Sequence, residues 1–325
     1  MRAAVCTTYG GPEVVDVVEL ATPEPADDEL LVRVTSATVN RTSACIRAAK
    51  PPLVRLMYGL RKPRRPVLGT DFAGVIEHVG PEVRGLTVGD RVMGFDDNRM
   101  GAHGEYLTIP ASAAIATIPD EVSDDDAAAS VEGGHYALTN IEHAALDPGQ
   151  RALVYGGGGA IGSTAIQLLV SRGVEVVAVA EDHQLDLMGR LGATRAIDYR
   201  AEDFTTIGQT FDLVFDAVGH TTFAACRPLL DETGQFMATE LGPRLQNLRL
   251  SLTTRFGDGP RVHFPLPSDA RRHVETVRDE LTAQTLRPAL DRTFDLDDIV
   301  DAHRYVDTAT KTGNVILRVA PPVVG

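Results

Sequence analysis

The sequence predicts an α/β protein of two domains: a β-barrel-like domain closed by both chain ends, and an inserted, doubly wound domain in which parallel strands alternate with helices. Three observations predict it. Residues 1–118 form a series of short β-type runs broken by Gly and Pro. From Arg151 onward, almost continuous apolar runs alternate with helical stretches, the pattern of a parallel sheet covered on both faces. Beyond residue 285 the β-type pattern returns.

Taken in order, Leu30–Val34, Val75–Val79, Arg91–Gly94 and Tyr106–Ile109 read as strands, with Gly80-Pro81 and Val88-Gly89-Asp90 as turns. Ser123-Asp124-Asp125-Asp126 marks a helix start, because acids there face the positive end of the helix dipole. An Ala-rich helix follows, and Asp147-Pro148-Gly149 ends a second helical stretch. Ala152–Tyr155 is then a buried strand, Gly162–Arg172 a helix, Val174–Ala180 a strand and Leu185–Leu191 a helix. Ala196–Tyr199, Phe211–Val218 and Gly234–Thr239 complete the strands of this set. Arg255–Pro267 reads as a loop with a strand-like piece at Val262–Phe264. Arg292–Phe294 and Val315–Val319 are strands on either side of an amphipathic helix, Leu296–Val306. The domains are therefore drawn as 1–118 with 286–325, and 119–285.

The bulk properties narrow the function classes. A chain of 325 residues holds two domains at ~100–200 residues each. Apolar residues at 43% and charged residues at 23% allow a core that needs no disulfide or metal staple. A net charge of -14 repels nucleic acid and anionic membranes, which leaves a small molecule as the expected partner. No apolar run reaches the ~18 residues of a membrane span. Met1–Val5 runs straight into a strand-like segment and does not read as a signal peptide. Cys6, Cys45 and Cys226 lie far apart without a Cys-x-x-Cys, which excludes a disulfide framework and a four-thiolate zinc site. Reduced thiols and a cytoplasmic location are the expectation.

The strongest motif runs from Val154 through Gly156, Gly157, Gly158, Gly159, Ala160 and Ile161 to Gly162. Gly157, Gly159 and Gly162 satisfy G-x-G-x-x-G between a strand and a helix, the context of a dinucleotide-binding Rossmann turn. Without Cβ atoms the backbone can turn tightly and approach a pyrophosphate, and the helix beginning near Gly162 presents its N–H groups and dipole to that charge. The next strand ends before Glu181, an acid placed to accept from both ribose hydroxyls. Glu181 and Asp182 would repel a 2′-phosphate, so the sequence leans toward NAD(H) within an NAD(P)H assignment. Arg195 and Arg200 are within sequence reach of a 2′-phosphate, and the same acids also suit a helix start.

Several further motifs converge. They are Val39-Asn40-Arg41-Thr42, Val67–Gly74, Val88–Val92, Gly101–Tyr106, Leu191-Gly192-Ala193, Ile197-Asp198-Tyr199, Phe215–Gly219, Ala302–Tyr305 and Gly313-Asn314-Val315. With the glycine turn they resemble, in order and across nearly the whole chain, the zinc-independent, quinone oxidoreductase-like group of medium-chain dehydrogenases/reductases. The resemblance implies a GroES-like β-barrel substrate domain plus a Rossmann domain, an active site in the cleft between them, hydride transfer from NAD(P)H to an activated C=C or a quinone, and a homodimer. It also implies that Tyr199, Val218 and Asn314 belong to the dinucleotide site.

Zinc-dependent relatives carry Cys where this chain has Asn40 and His-Glu where it has Thr70-Asp71. No thiolate lies near Ser130–Gly134, and the Cys-rich lobe expected after Gly94 is missing, so no zinc is expected. Without a Lewis acid, alcohol oxidation is disfavoured, whereas a conjugated acceptor needs mainly donors around its carbonyl oxygen.

Three residues are catalytic candidates. Asn40 offers an amide to a substrate carbonyl, or stabilises a turn beside Arg41. Tyr58, in the loop Leu53–Lys62, is a proton donor or a packing side chain; a phenol of pKa ~10 is neutral at pH 7. His135 follows the resemblance to a position near the nicotinamide, where it orients substrate or acts as an acid, or it is a hydrogen-bonded helix residue. Arg55, Arg61, Lys62, Arg64 and Arg65 form either an anion-attracting rim or a solvated loop. Asp71 reads as a pairing or capping residue and Glu240 is undecided between substrate contact and surface. Two functions are carried forward: a zinc-free enone, enoyl or quinone reductase, and a protein of this fold recruited for non-redox work as a cyclase-like pocket or structural dinucleotide binder.

Overall fold

The computed structural model describes residues 1–320. It divides into two compact units, the first comprising Met1–Glu132 and the chain from Asp269, the second Gly133–Ser268. These divisions fall after residues 132 and 268, whereas the composition shifts suggested 118 and 285.

The first unit begins with β1 (Arg2–Cys6) and β2 (Val15–Glu19), an antiparallel pair in which Arg2 faces Glu19. Then come β3 (Glu29–Thr38), α1 (Arg41–Ala48), α2 (Val54–Tyr58), β4 (Asp71–Val79), β5 (Arg91–Phe95), β6 (Tyr106–Pro110) and β7 (Ala114–Thr117). The long α3 (Asp124–Ala144) carries the chain from this unit into the second. The chain returns to the first unit with α8 (Ala270–Thr282), β14 (Leu290–Asp295), α9 (Ile299–Asp307) and β15 (Asn314–Arg318). Its main sheet runs β14-β15-β3-β4-β5-β7, with β6 also on β3. β3 is buried along most of its length because it has neighbours on both edges, β4 on one and β6 and β15 on the other. Leu30, Val32, Val34, Phe72, Ile76 and Val315 lie in the resulting core.

The second unit contains β8 (Arg151–Tyr155), α4 (Ala160–Ser171), β9 (Glu175–Ala180), α5 (Leu185–Arg190), β10 (Arg195–Asp198), β11 (Phe211–Asp216), α6 (Phe223–Cys226), β12 (Leu230–Ala238), α7 (Gln246–Thr253) and β13 (Arg261–His263). All strands are parallel, in the order β10-β9-β8-β11-β12-β13. The order reverses beside β8, so the ends of β8 and β11 form the crevice where open sheets of this type bind ligands.

Two expectations are corrected. The helical stretches before Asp147 are one helix, α3, running through Gly133-Gly134. A Cβ on Gly133 would lie 2.9 Å from Ala160 O, so the glycine is there to let α3 and α4 approach. α4 starts at Ala160 rather than near Gly162. The elements not anticipated are β2, α1, α2, β7, α6, α7 and α8; yet α8 has a readable pattern, with Val274, Val277 and Leu281 buried on one face. Among the described residues, no disulfide joins the three cysteines and no helix is long and apolar enough to cross a membrane.

Candidate functional site

In the second unit the whole link between β8 and α4 consists of Gly156, Gly157, Gly158 and Gly159. Gly156 has φ +81°, a conformation side chains rarely adopt, and a Cβ there would lie 2.6 Å from Val218 Cγ1. A Cβ on Gly158 would collide with the Gln184 carboxamide, and one on Gly162 with Gly156 O. The turn is thus closed down against its neighbours. Gly159 is the N-cap, and the first intrahelical bond runs from Ser163 N–H to Gly159 O at 2.9 Å. The amides of Ala160, Ile161 and Gly162 precede that bond, in the turn where helical N–H groups point out of the N-terminus. With the positive end of the α4 dipole they suit a diphosphate, and the residues present fit a dinucleotide.

Glu181 follows β9 and does not stand alone. Its Oε1 accepts from Tyr199 Oη at 3.1 Å and from Arg200 Nη2 at 3.0 Å. The Arg200 guanidinium also lies over the Tyr199 ring, 5.5 Å from its centroid. The repulsion that Glu181 was expected to exert on a 2′-phosphate is therefore offset by an adjacent cation. The pair offers an acceptor for ribose hydroxyls and a donor for a phosphate. Asp182 begins a single 3-10 turn, as a helix-starting acid would.

Val218 is held from below by Asp216, the buried last residue of β11. Asp216 Oδ1 accepts from the amides of Val218 (3.1 Å) and Gly219 (2.8 Å), and Oδ2 from that of Thr221 (2.9 Å). Burial pushes the Asp216 carboxyl above its ordinary pKa even though these amides oppose the shift. The Glu240 side chain packs against Gly219, which has φ +74°. His135 is a buried α3 residue of this unit, its ring 5.3 Å from that of Tyr136.

The first unit holds a separate polar cluster. Asn40 caps α1: its Oδ1 accepts from Ser43 N–H at 2.7 Å and its Nδ2 donates to Thr70 Oγ1 at 3.0 Å. Thr38 donates to both oxygens of Asp71, at 2.8 Å each, and also through its amide at 3.1 Å. His103 Nε2 donates to Thr38 O at 2.9 Å, and burial pushes this histidine down to about 4, so it is neutral. Asp71 is fully enclosed, and burial raises its carboxyl to about 7 despite the Thr38 hydrogen bonds. Glu132 of α3 is also buried, and burial together with the nearby Asp71 pushes it up to about 8. Tyr58 ends α2, half-buried; burial and then the carboxylates of Asp97 and Glu132 push its phenol above the ordinary value. Asn314, which the resemblance assigns to the dinucleotide site, starts β15 in this unit, where its amide N–H donates to Ala289 O at 2.8 Å.

The structure therefore brings Asn40 into a cluster with Thr38, Thr70 and Asp71, sets Tyr58 within electrostatic reach of Glu132, and groups the glycine turn with Val218. It places His135 in the other unit from Asn40 and Tyr58. Arg61, Lys62, Arg64 and Arg65 are exposed to solvent, and Arg55 lies over the Tyr9 ring at 5.1 Å. The donor set around residues 40, 70 and 71 suits hydrogen bonding rather than zinc: an amide, a hydroxyl and a carboxylate already satisfied by Thr38. Among the described residues no group of three or more His, Cys, Asp or Glu is placed to hold a metal ion.

Glu132 and Asp216 were missed as site residues. The signal for Glu132 was present, since it is the only Asp, Glu, Lys or Arg between Asp126 and Glu142. Asp216 lay inside a quoted motif without a role.

Residues 26–120 match the family described as the alcohol dehydrogenase GroES-like domain, and residues 191–317 that described as zinc-binding dehydrogenase. Positions 40, 70 and 71 lie outside the second match. The chain is 30% identical to quinone oxidoreductase 1 of Escherichia coli over 238 residues, 70% of this chain and 68% of that protein. It is 28% identical to 2-methylene-furan-3-one reductase of Solanum lycopersicum over 333 residues, 99% of this chain and 80% of that protein. Among solved structures, a mycobacterial protein in complex with NADPH matches with a TM-score of 0.82 at 25% identity, covering 98% of this chain and 99% of that one.

Proposed function

This chain belongs to the medium-chain dehydrogenase/reductase family, in its quinone oxidoreductase group, and from that premise we propose that it is an NAD(P)H-dependent oxidoreductase that reduces an enone, an enoyl group or a quinone without zinc. The observation that carries this reading is the closed glycine turn, which leads into the first turn of α4 with the amides of Ala160, Ile161 and Gly162 ahead of the first intrahelical bond. The bound nicotinamide supplies the hydride. The chain's own residues bind the diphosphate, hold the ribose through Glu181 and Arg200, and supply donors to the acceptor oxygen. Tyr58 suits that last role, because a phenol whose pKa is raised stays protonated at neutral pH. Asn40 does not, since its amide already donates to Thr70 and its oxygen caps α1. The zinc-free part of the reading rests on the same two hydrogen bonds and on the absence of a thiolate from this cluster.

The test is a titration of NADH and NADPH followed by the fluorescence of the bound coenzyme, then turnover of an enone and a small quinone with and without a chelator. Saturable binding and chelator-insensitive turnover are expected. Failure of both coenzymes to bind would overturn the proposal. Binding without turnover of any acceptor would shift the assignment to a non-redox role.

A further inference from the structure

One oxygen in the first unit has no counterpart. Glu132 is 7% exposed, and its Oε1 is enclosed without a hydrogen-bond partner. An unsatisfied buried polar atom is destabilising by about 1–3 kcal/mol, so its retention calls for an explanation. The surroundings are polar throughout. Asp71 of β4, Asp97 after β5, Thr42 of α1 and Lys311 ahead of β15 all act on the Glu132 carboxyl. Tyr58 of α2 is within range of it as well, and Arg41 of α1 acts on Lys311. Lys311 is engaged elsewhere, its Nζ donating to Gly313 O. Tyr58, Asp97 and Lys311 are each half-buried, at the margin of the cluster.

We propose that Glu132 is the acid of the reductase: its carboxyl donates through Oε1 to the acceptor's carbonyl oxygen and protonates that oxygen as hydride reaches the conjugated carbon. The inference rests on the oxidoreductase reading above and names a residue for it. The electrons balance. The hydride pair forms the new C–H bond at the β-carbon, the C=C π pair moves toward the carbonyl, and negative charge collects on oxygen. The Glu132 O–H bond breaks and its proton forms the enol, leaving a carboxylate that regains a proton from water. The enol then becomes the saturated ketone by exchange with solvent. Glu132 suits the step better than Tyr58, because burial and the neighbouring Asp71 raise its pKa to about 8, near the working pH, whereas burial moves the phenol upward, away from it.

The test compares wild type with Glu132→Gln, whose amide keeps the shape and a donor but has no transferable proton. Turnover of an enone should fall by about a hundredfold or more, the size of a general-acid contribution, while KM for the enone changes by less than about threefold, as expected when ground-state binding is kept. The wild-type rate should decline as pH rises through about 8, where Glu132 loses its proton, and the variant should lack that decline. A readout free of turnover is infrared absorption of the protonated carboxyl. A band present in wild type, absent from the variant and shifted by a saturated ketone supports the proposal. Glu132→Asp, which keeps an acid on a shorter stem, should retain part of the rate and serves if the Gln variant fails to fold. Undiminished turnover in Glu132→Gln, or a carboxyl band blind to the ketone, would overturn the assignment. If wild type binds neither coenzyme, the oxidoreductase reading fails separately, and the ketone-induced band shift still decides for or against Glu132.

Discussion

A carboxylate at the end of the second strand of a dinucleotide fold disfavours a 2′-phosphate only while its charge is uncompensated. Glu181 has Arg200 at 3.0 Å and Tyr199 at 3.1 Å, so under the proposed function the choice of coenzyme would fall to a pair of opposite charges rather than to one acid. Removing each partner should therefore move affinity in opposite directions. Arg200→Ala is expected to weaken NADPH about tenfold, as loss of one charge-assisted hydrogen bond does, with NADH changed by less than about twofold. Glu181→Ser should weaken NADH and spare or improve NADPH. Titrations at low and at physiological salt check this, since both groups are near solvent and salt screens them. An unaltered NADPH-to-NADH ratio in Arg200→Ala would remove the pair from coenzyme choice. Burial acts differently within the first unit. The His103 and His303 rings are both enclosed, and burial lowers both pKa values, His103 to about 4. The unfolded chain then binds more protons than the native one between about pH 6.5 and 4, so these groups withdraw stability as the pH falls through that window. The raised carboxyls of Asp71 and Glu132 have the opposite sign, withdrawing stability as pH rises toward about 8. Thermal unfolding should show Glu132→Gln gaining stability relative to wild type as the pH is raised from 5 to 8.5, and an unchanging difference would contradict this.

At the scale of elements, the coenzyme turn depends on a helix that does not touch the diphosphate position. Gly133 in α3 lies against Ala160, the first residue of α4, with space for no Cβ. Gly133→Ala should push that helix start outward, at about 1–3 kcal/mol of overpacking, and weaken both coenzymes alike. Chemical denaturation measures the first effect and coenzyme titration the second; full stability with unchanged binding would show that α3 does not hold the turn. The same elements show what was legible beforehand. The strand–turn–helix around Gly156–Gly162 could be read from sequence because backbone proximity there admits only glycine, whatever the rest of the chain does. The first residue of α4 could not, because the helix begins where Gly159 has φ −82° and ψ 172°, and nothing in a run of four glycines marks which one is the cap. Glu132 stood out as a lone charge, but its role was hidden for another reason. An acid in a helix reads as solvated until the sheet places Asp71, Asp97 and Lys311 around it, and those residues lie far away along the chain. Asn40 was assigned by position, but its hydrogen bonds to Ser43 and Thr70 arise from capping α1 and from the neighbouring strand, which spacing alone does not reveal.

For the whole molecule, the large exposed side chains of the second unit concentrate in one stretch of sequence. Leu245, Leu248 and Leu252 of the α7 region and Leu266 after β13 are exposed, and Phe256 between them is 88% exposed. Leu248 and Leu252 are four residues apart and share one face of α7. Beside them β13 is the last strand of its sheet, paired with β12, and the Val262 N–H is taken by Thr254 Oγ1 at 3.0 Å. An exposed apolar patch of this kind is a liability unless it is covered. A second copy of this chain related by a two-fold axis would cover the exposed face of α7 and Phe256 with the same patch. We infer a homodimer on this basis. Sedimentation at micromolar concentration should give twice the chain mass. Burying one such side chain is worth about 1.5–3 kcal/mol, so Phe256→Asp with Leu252→Asp should raise the dissociation constant at least about a hundredfold and yield monomer. The monomer should still bind coenzyme, because neither residue lies in the glycine turn or beside Glu181. A wild type that sediments as a single chain, or a doubly substituted variant that stays dimeric, would leave this patch for another partner.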